Sequence, residues 1–148
     1  MDLSSFLGQT TLSTLSQLKL AFPVIDYSVV EGDEFIKLQE HGCFFYSENS
    51  SGVISGYRVY FVSYDDYDIV DTSFEYPLKG LITIDDVSRH LGNPNMDIPS
   101  IKIPGLEATL PGFRFSDQNL NYFVHLIDEK YISYINYERK LPLPTMSD

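Results

Sequence analysis

Apolar residues recur at helical spacing between Thr11 and Phe22, where Leu12, Leu15, Leu18 and Phe22 stand three, three and four residues apart. They would share one face of an amphipathic helix, which Pro23 then ends. Past a polar, glycine-bearing passage around Glu31-Gly32-Asp33 the pattern changes. Phe35 to Gln39, Cys43 to Tyr46 and Tyr57 to Val62 are short runs rich in aromatic and β-branched residues, separated by Gly42 and by Asn49-Ser50-Ser51-Gly52. Such runs predict the strands of an antiparallel meander. Ile69 to Phe74 reads as one more strand, before a break at Tyr76-Pro77.

The same order of events then recurs. Thr83 stands three residues before Asp86, an arrangement in which hydroxyl and carboxylate satisfy the free N–H groups that open a helix. Ile84, Val87 and Leu91 share a face at spacings of three and four, and Gly92-Asn93-Pro94 supplies the stop. Ala108 to Leu110, Phe113 to Phe115, Leu120 to Ile127 and Tyr131 to Tyr137 follow, with turns at Ser116 to Asn119 and at Asp128 to Lys130. The interval from proline to glycine is 19 residues from Pro23 to Gly42 and 18 from Pro94 to Gly112. The predicted fold is therefore α+β: two similar units of a helix followed by an antiparallel meander, residues 1–75 and 76–148, with the helices packed on the sheet. Strict alternation would place Tyr131, Ser133, Ile135 and Tyr137 on one side of the last strand and Ile132, Tyr134 and Asn136 on the other.

Composition narrows the function. A chain of 148 residues with 43% apolar and 21% charged residues suits one compact folded body. No apolar run is long enough for a membrane-spanning helix, and the N-terminal stretch lacks the basic region and apolar run of a signal peptide. A single cysteine, Cys43, permits no intrachain disulfide, and together these features point to the cytoplasm. With 21 acids against 10 bases, a net charge of −11 argues against binding nucleic acid and for a basic partner. Asp65, Asp66, Asp68, Asp71, Glu75, Asp85 and Asp86 are interrupted by one cation, Lys79, so the negative charge is concentrated there.

Motifs for chemistry are missing. The sequence has no phosphate-cradling glycine loop, nucleophile elbow, paired-histidine zinc helix or CxxC unit. His41 and Cys43 stand two apart and could present a base and a thiolate on one face, but nothing around them signals an orienting group or oxyanion donors, so an inert buried cysteine is the simpler reading. The aspartates after Tyr64 lack the glycine and the closing glutamate of a calcium loop, and His90 and His125 stand apart from other ligand types. No metal or cofactor is implied, and no enzymatic activity is expected. Eleven tyrosines and no tryptophan remain to be explained. Tyrosine offers rigid contact area with a hydroxyl attached, which suits binding surfaces.

The stretch from Tyr76 to Pro94, with its Thr-x-x-Asp-Val-x-x-x-Leu-Gly-x-Pro pattern, and the strands that follow to Tyr137 resemble a recurrent bacterial module of short helix and three-stranded meander. It is similar to the unit of small outer-membrane assembly lipoproteins and of tandem-repeat β-lactamase inhibitor proteins, without the lipidation signal of the first or the disulfides of the second. It also resembles immunity proteins of bacterial toxin systems, including those of contact-dependent growth inhibition. The resemblance implies a protein that neutralises a cognate toxin, such as a basic nuclease domain, by occlusion. Joined to the charge distribution, it nominates Tyr64, Asp65, Asp66, Tyr67, Asp68, Asp71, Glu75 and Tyr76 as partner-binding residues. The rival reading is a small-ligand pocket protein or minor enzyme, with His41 or His125 as its polar group.

Overall fold

The computed structural model describes residues 1–140 except 103, 106 and 107; residues 141–148 of the second expected unit lie outside the described residues. Helix α1 (Thr11–Ala21) precedes strands β1 (Asp26–Val30), β2 (Asp33–Leu38), β3 (Cys43–Ser47) and β4 (Gly56–Tyr60). Helix α2 (Ile84–Leu91) precedes β5 (Met96–Ile98), β6 (Gly112–Ser116), β7 (Leu120–Ile127) and β8 (Tyr131–Arg139). All eight strands form one antiparallel sheet in the order β1-β2-β3-β4-β8-β7-β6-β5. Each helix is thus followed by four neighbouring strands, and the last strands of the two runs, β4 and β8, meet at the centre. The protein is α+β.

Local chemistry accounts for several boundaries. The Thr83 hydroxyl accepts from the Asp86 N–H at 3.3 Å while the Asp86 carboxylate accepts from the Thr83 N–H at 3.0 Å, so the expected capping box opens α2. At α1 the inward face differs from the expected one. Thr11, Thr14 and Leu18 are buried and Leu15 and Phe22 pack against the core, whereas Leu12 is 75% exposed. The helix entry is held by a Thr10–Val53 bridge and by the Thr11 N–H on the Gly52 carbonyl at 2.8 Å, which turns Thr11 inward and leaves Leu12 in solvent.

Two strands and one irregular segment depart from the expected meander. β1 closes on β2 through Glu31 (φ 51°) and Gly32 (φ 86°), two positive-φ residues between the paired Val30 and Asp33. That is the two-residue hairpin turn whose twist matches its strands. β1 and the three-residue β5 lie at the sheet edges, with mostly exposed side chains, and so lack the apolar alternation that marks a strand. Residues 69–74 form no strand. Their backbone groups instead meet scattered carbonyls: Val70 N–H reaches Tyr60, and Asp71 N–H reaches His41.

A bulge redirects β8. His125 pairs with Tyr134 and Leu126 with Ile132, which leaves Ser133 as an extra residue whose carbonyl accepts from the Phe61 and Val62 N–H groups. Alternation is reset there, so Ile132 joins Ile135 and Tyr137 in the main apolar cluster instead of sharing a side with Tyr134. That cluster gathers Phe45, Tyr57, Val59, Val124 and Phe115 from the strands with Leu18 of α1, Val87 of α2, and Leu3 and Phe6 near the N-terminus. At the β4–β8 seam the rings of Tyr57 and Tyr137 stack at 4.7 Å. Their hydroxyls are satisfied by Ser4 and by the Pro77 carbonyl, each at 2.7 Å.

Candidate functional site

The opposite face of the sheet carries the second set of alternating residues and a separate aromatic cluster. Its cross-strand register aligns Lys37, Phe44, Arg58, Asn136, Phe123 and Arg114 in one row from β2 to β6. Arg58 stands mid-sheet. Its guanidinium carbon lies 4.0 Å from the Tyr134 ring centroid, 5.0 Å from Phe44 and 5.8 Å from Tyr60, within the range of cation–π attraction. Its Nε donates to Asn136 Oδ1 at 2.6 Å and its Nη1 to the Tyr60 hydroxyl at 3.2 Å. On the far side of Tyr134, His125 stacks at 4.5 Å and contacts the Leu110 carbonyl through Nδ1 at 2.9 Å. Burial pushes the His125 imidazole below its ordinary value, and the nearby Arg58 charge acts in the same direction.

The acidic segment forms a border of this face. Tyr64 and Tyr67 exchange backbone hydrogen bonds across Asp65 (φ 51°) and Asp66 (φ 66°), a tight turn that aspartate tolerates better than most residues. The Tyr67 ring stacks on Tyr60 at 4.4 Å, and Tyr64 lies 5.8 Å from Tyr134. Asp65 and Asp66 are exposed at the tip. Beneath the turn an open depression of about 370 Å³ is lined by Phe35, Phe44, Tyr60 and Tyr67, with Lys37 and Arg58 among its cations and Glu31, Asp33 and Asp65 among its acids. A second depression of about 210 Å³ continues along the face past Tyr46 to Glu138, whose carboxylate accepts from the Tyr46 hydroxyl at 2.8 Å.

The eight nominated residues therefore divide. Tyr64, Asp65, Asp66 and Tyr67 belong to the turn over the aromatic cluster, and Asp68 is exposed just beyond it. Asp71 sits apart, beside His41 Nδ1 at 3.3 Å. Glu75 is exposed, pairs with Lys79 at 3.1 Å and bridges to Asp2. Tyr76 packs on the other side of the sheet, against Phe61 and Tyr137. Cys43 is fully buried in the main core, where burial drives its thiol far above the ordinary range, while His41 turns to Asp71. His90 is exposed at the end of α2. Among the described residues no group of three or more His, Cys, Asp or Glu is placed to hold a metal ion, and no helix is long and apolar enough to cross a membrane.

Arg58, Phe44, Tyr134 and Asn136 are the residues that composition and charge runs pass over. A signal existed in the parity of their strands: Arg58 and Tyr60 alternate with the core residues Tyr57 and Val59. Recognising their partners required the β4–β8 pairing, which joins positions 78 residues apart.

Asp71 anchors the distal part of the acidic segment, and its titration is testable. The Ser73 N–H at 2.9 Å and the Ser73 hydroxyl at 2.8 Å, followed by His41, hold the Asp71 carboxyl below the ordinary carboxylate range. A depressed folded pKa stabilises the protein above the unfolded pKa, and that contribution is lost as pH falls through the folded value. The Ser73 amide resonance is expected to titrate with a midpoint under about 3.9, the ordinary aspartate value, and the Asp71→Asn variant should remove that step. A midpoint above that value would contradict the anchoring.

The fold and this face define an α+β protein built on a single eight-stranded antiparallel sheet, with one side filled by the main core and the other carrying a smaller buried tyrosine cluster bordered by half-buried Phe44 and Arg58 and exposed Asp65 and Asp66. Comparison of the chain with protein-family models, curated proteins and solved structures gives no match.

Proposed function

We propose that the protein acts by binding another protein, as the immunity partner of a bacterial toxin, and that its aromatic sheet face with the Tyr64–Tyr67 turn forms the contact. The partner is a cognate toxin domain, basic overall as nuclease domains are, and the chain neutralises it by covering its active cleft in the cytoplasm. The two runs of helix and four strands are read as two copies of one ancestral unit, with each helix packed on its share of the sheet, joined through β4 and β8. One observation carries the reading. On the sheet side away from the main core, the buried rings of Tyr60, Tyr67 and Tyr134 hold the half-buried Phe44 and Arg58 in place, next to exposed carboxylates at Asp65 and Asp66. Phe44 and Arg58, ordered by the tyrosines beneath them before binding, lose little entropy on docking, and flanking charge speeds the encounter.

The test begins with the gene neighbourhood. A toxin domain encoded beside this gene should be inhibited in stoichiometric complex with the purified protein, and its co-expression should restore growth. A toxin unaffected by saturating protein counts against the reading. Within such a complex, Asp65→Asn combined with Asp66→Asn keeps residues that accept the positive-φ turn while removing two charges. Association is expected to slow roughly three- to tenfold at low salt, with a weaker dependence on ionic strength; unchanged kinetics would take the turn out of the contact. The small-ligand alternative predicts instead that a metabolite raises the melting temperature when no protein partner is present.

A further inference from the structure

In a chain with 21 acids and 10 bases, three cations stand in a single row of one sheet face, and among the described residues none has a carboxylate within 4 Å. Lys37 and Arg114 lie toward the ends of the row, with the Arg114 guanidinium 5.7 Å from the Phe123 ring and its Nε buried without a hydrogen-bond partner. Arg58 occupies the middle. Two of the five guanidinium N–H groups are engaged, by Asn136 and Tyr60, and the rings of Phe44 and Tyr134 fix the plane of the group. A guanidinium held in this way has lost its rotameric freedom before any ligand arrives, and its remaining donors suit a carboxylate in a forked pair.

On the reading of this face as a protein-docking surface, we infer that Arg58 is the receptor for one carboxylate side chain of the partner, an aspartate or glutamate set within an otherwise basic surface. The surroundings select that chemistry. Asp33, Asp65 and Glu31 rim the depression that Arg58 helps to floor, and Glu138 and Glu48 rim its neighbour. A polyphosphate chain would bring many negative charges against that rim and against a net charge of −11. A single carboxylate flanked by lysines or arginines instead meets a cation at the centre and anions at the border. Like-charge penalties at both places would reject a partner with the pattern reversed, so the arrangement confers specificity as well as attachment.

The test needs no toxin. The ¹⁵N-labelled wild-type protein is titrated with two short peptides of lysines and glycines that differ only in a central glutamate or glutamine, and the Arg58 Nε–Hε resonance is followed, assigned by its loss in Arg58→Lys. The expected result is a shift of that resonance with the glutamate peptide and binding about tenfold weaker for the glutamine peptide, the loss of a charge-assisted hydrogen bond. Equal binding of the two peptides, with perturbations at Asp33 and Asp65 but none at Arg58, overturns the carboxylate receptor and leaves the acidic-surface reading standing. Failure of both peptides to bind sinks both. An oligothymidylate that displaces the glutamate peptide from Arg58 would show a general anion site and also overturn the assignment. Because the comparison runs on the wild-type fold, any destabilisation by an Arg58 substitution does not enter it.

Discussion

Replacing Tyr137 by alanine is expected to destabilise the protein by roughly 3–5 kcal/mol, the range for emptying an aromatic site in a packed core. Tyr137 is fully buried on the central strand β8. Its ring stacks on Tyr57 of β4 at 4.7 Å and contacts Tyr122 and Tyr76 edge-on at 5.7 and 6.5 Å, so a single side chain ties β4, β7, β8 and the chain after β4 into one core. Tyr137→Phe separates packing from polarity. It keeps the ring and deprives the Pro77 carbonyl of its 2.7 Å donor, and should cost about 1–2 kcal/mol. Urea unfolding of both variants measures the two costs directly, and equal losses would mean that the hydroxyl, not the ring, holds the seam.

The second large effect falls at Gly42. Its φ of +66° is left-handed, and a Cβ there would sit 2.4 Å from the Val70 nitrogen and 2.5 Å from the Asp68 carbonyl oxygen. Those atoms belong to the acidic segment, which lies along the 39–42 turn through the Asp68 N–H on Gln39 at 3.0 Å and the Asp71 N–H on His41 at 3.1 Å. Backbone cannot yield as a flexible side-chain tip can. Gly42→Ala is therefore expected to cost roughly 2–5 kcal/mol, adding overpacking to the left-handed penalty, and to speed hydrogen exchange at Asp68, Val70 and Asp71. Gly80→Ala provides the control. Its φ is +85° with no atom within 4 Å of the added carbon, so only the conformational cost of about 1–2 kcal/mol applies. Similar losses at the two sites, without faster exchange at 68–71, would show that the segment does not depend on the absent side chain.

Gly42 therefore links the binding reading to the fold. The acidic segment has no strand or helix of its own, and its placement depends on a glycine that lets two backbones approach and on the Tyr67 ring stacked over Tyr60. A run of aspartates in the sequence suggests where charge gathers, but it carries no information about which carboxylates face the aromatic cluster. Asp65 and Asp66 come to the tip of the turn, whereas Asp71 is drawn to Ser73 and His41 and Tyr76 to the far side of the sheet. The turn and the Ser73 contacts are local, but which face each residue meets is decided by partners distant in the chain: Tyr60 for Tyr67, His41 for Asp71, and Tyr137 for Tyr76.

Features that depend on neighbouring residues were readable from the sequence alone. The α2 capping box, the position of β7 and the α+β class follow from side chains that act on backbone groups or on positions two to four residues away, so the period of apolar residues and the placement of hydroxyls and prolines suffice to predict them. Tertiary structure decided what distant partners control: the rotation of α1 that exposes Leu12; the Ser133 bulge, whose carbonyl takes the Phe61 and Val62 N–H groups and which moves Ile132 into the main core; and the row that brings Arg58 beside Asn136. In these cases the energy lies in pairing and packing between segments far apart in sequence, and local propensity is too weak to fix the outcome.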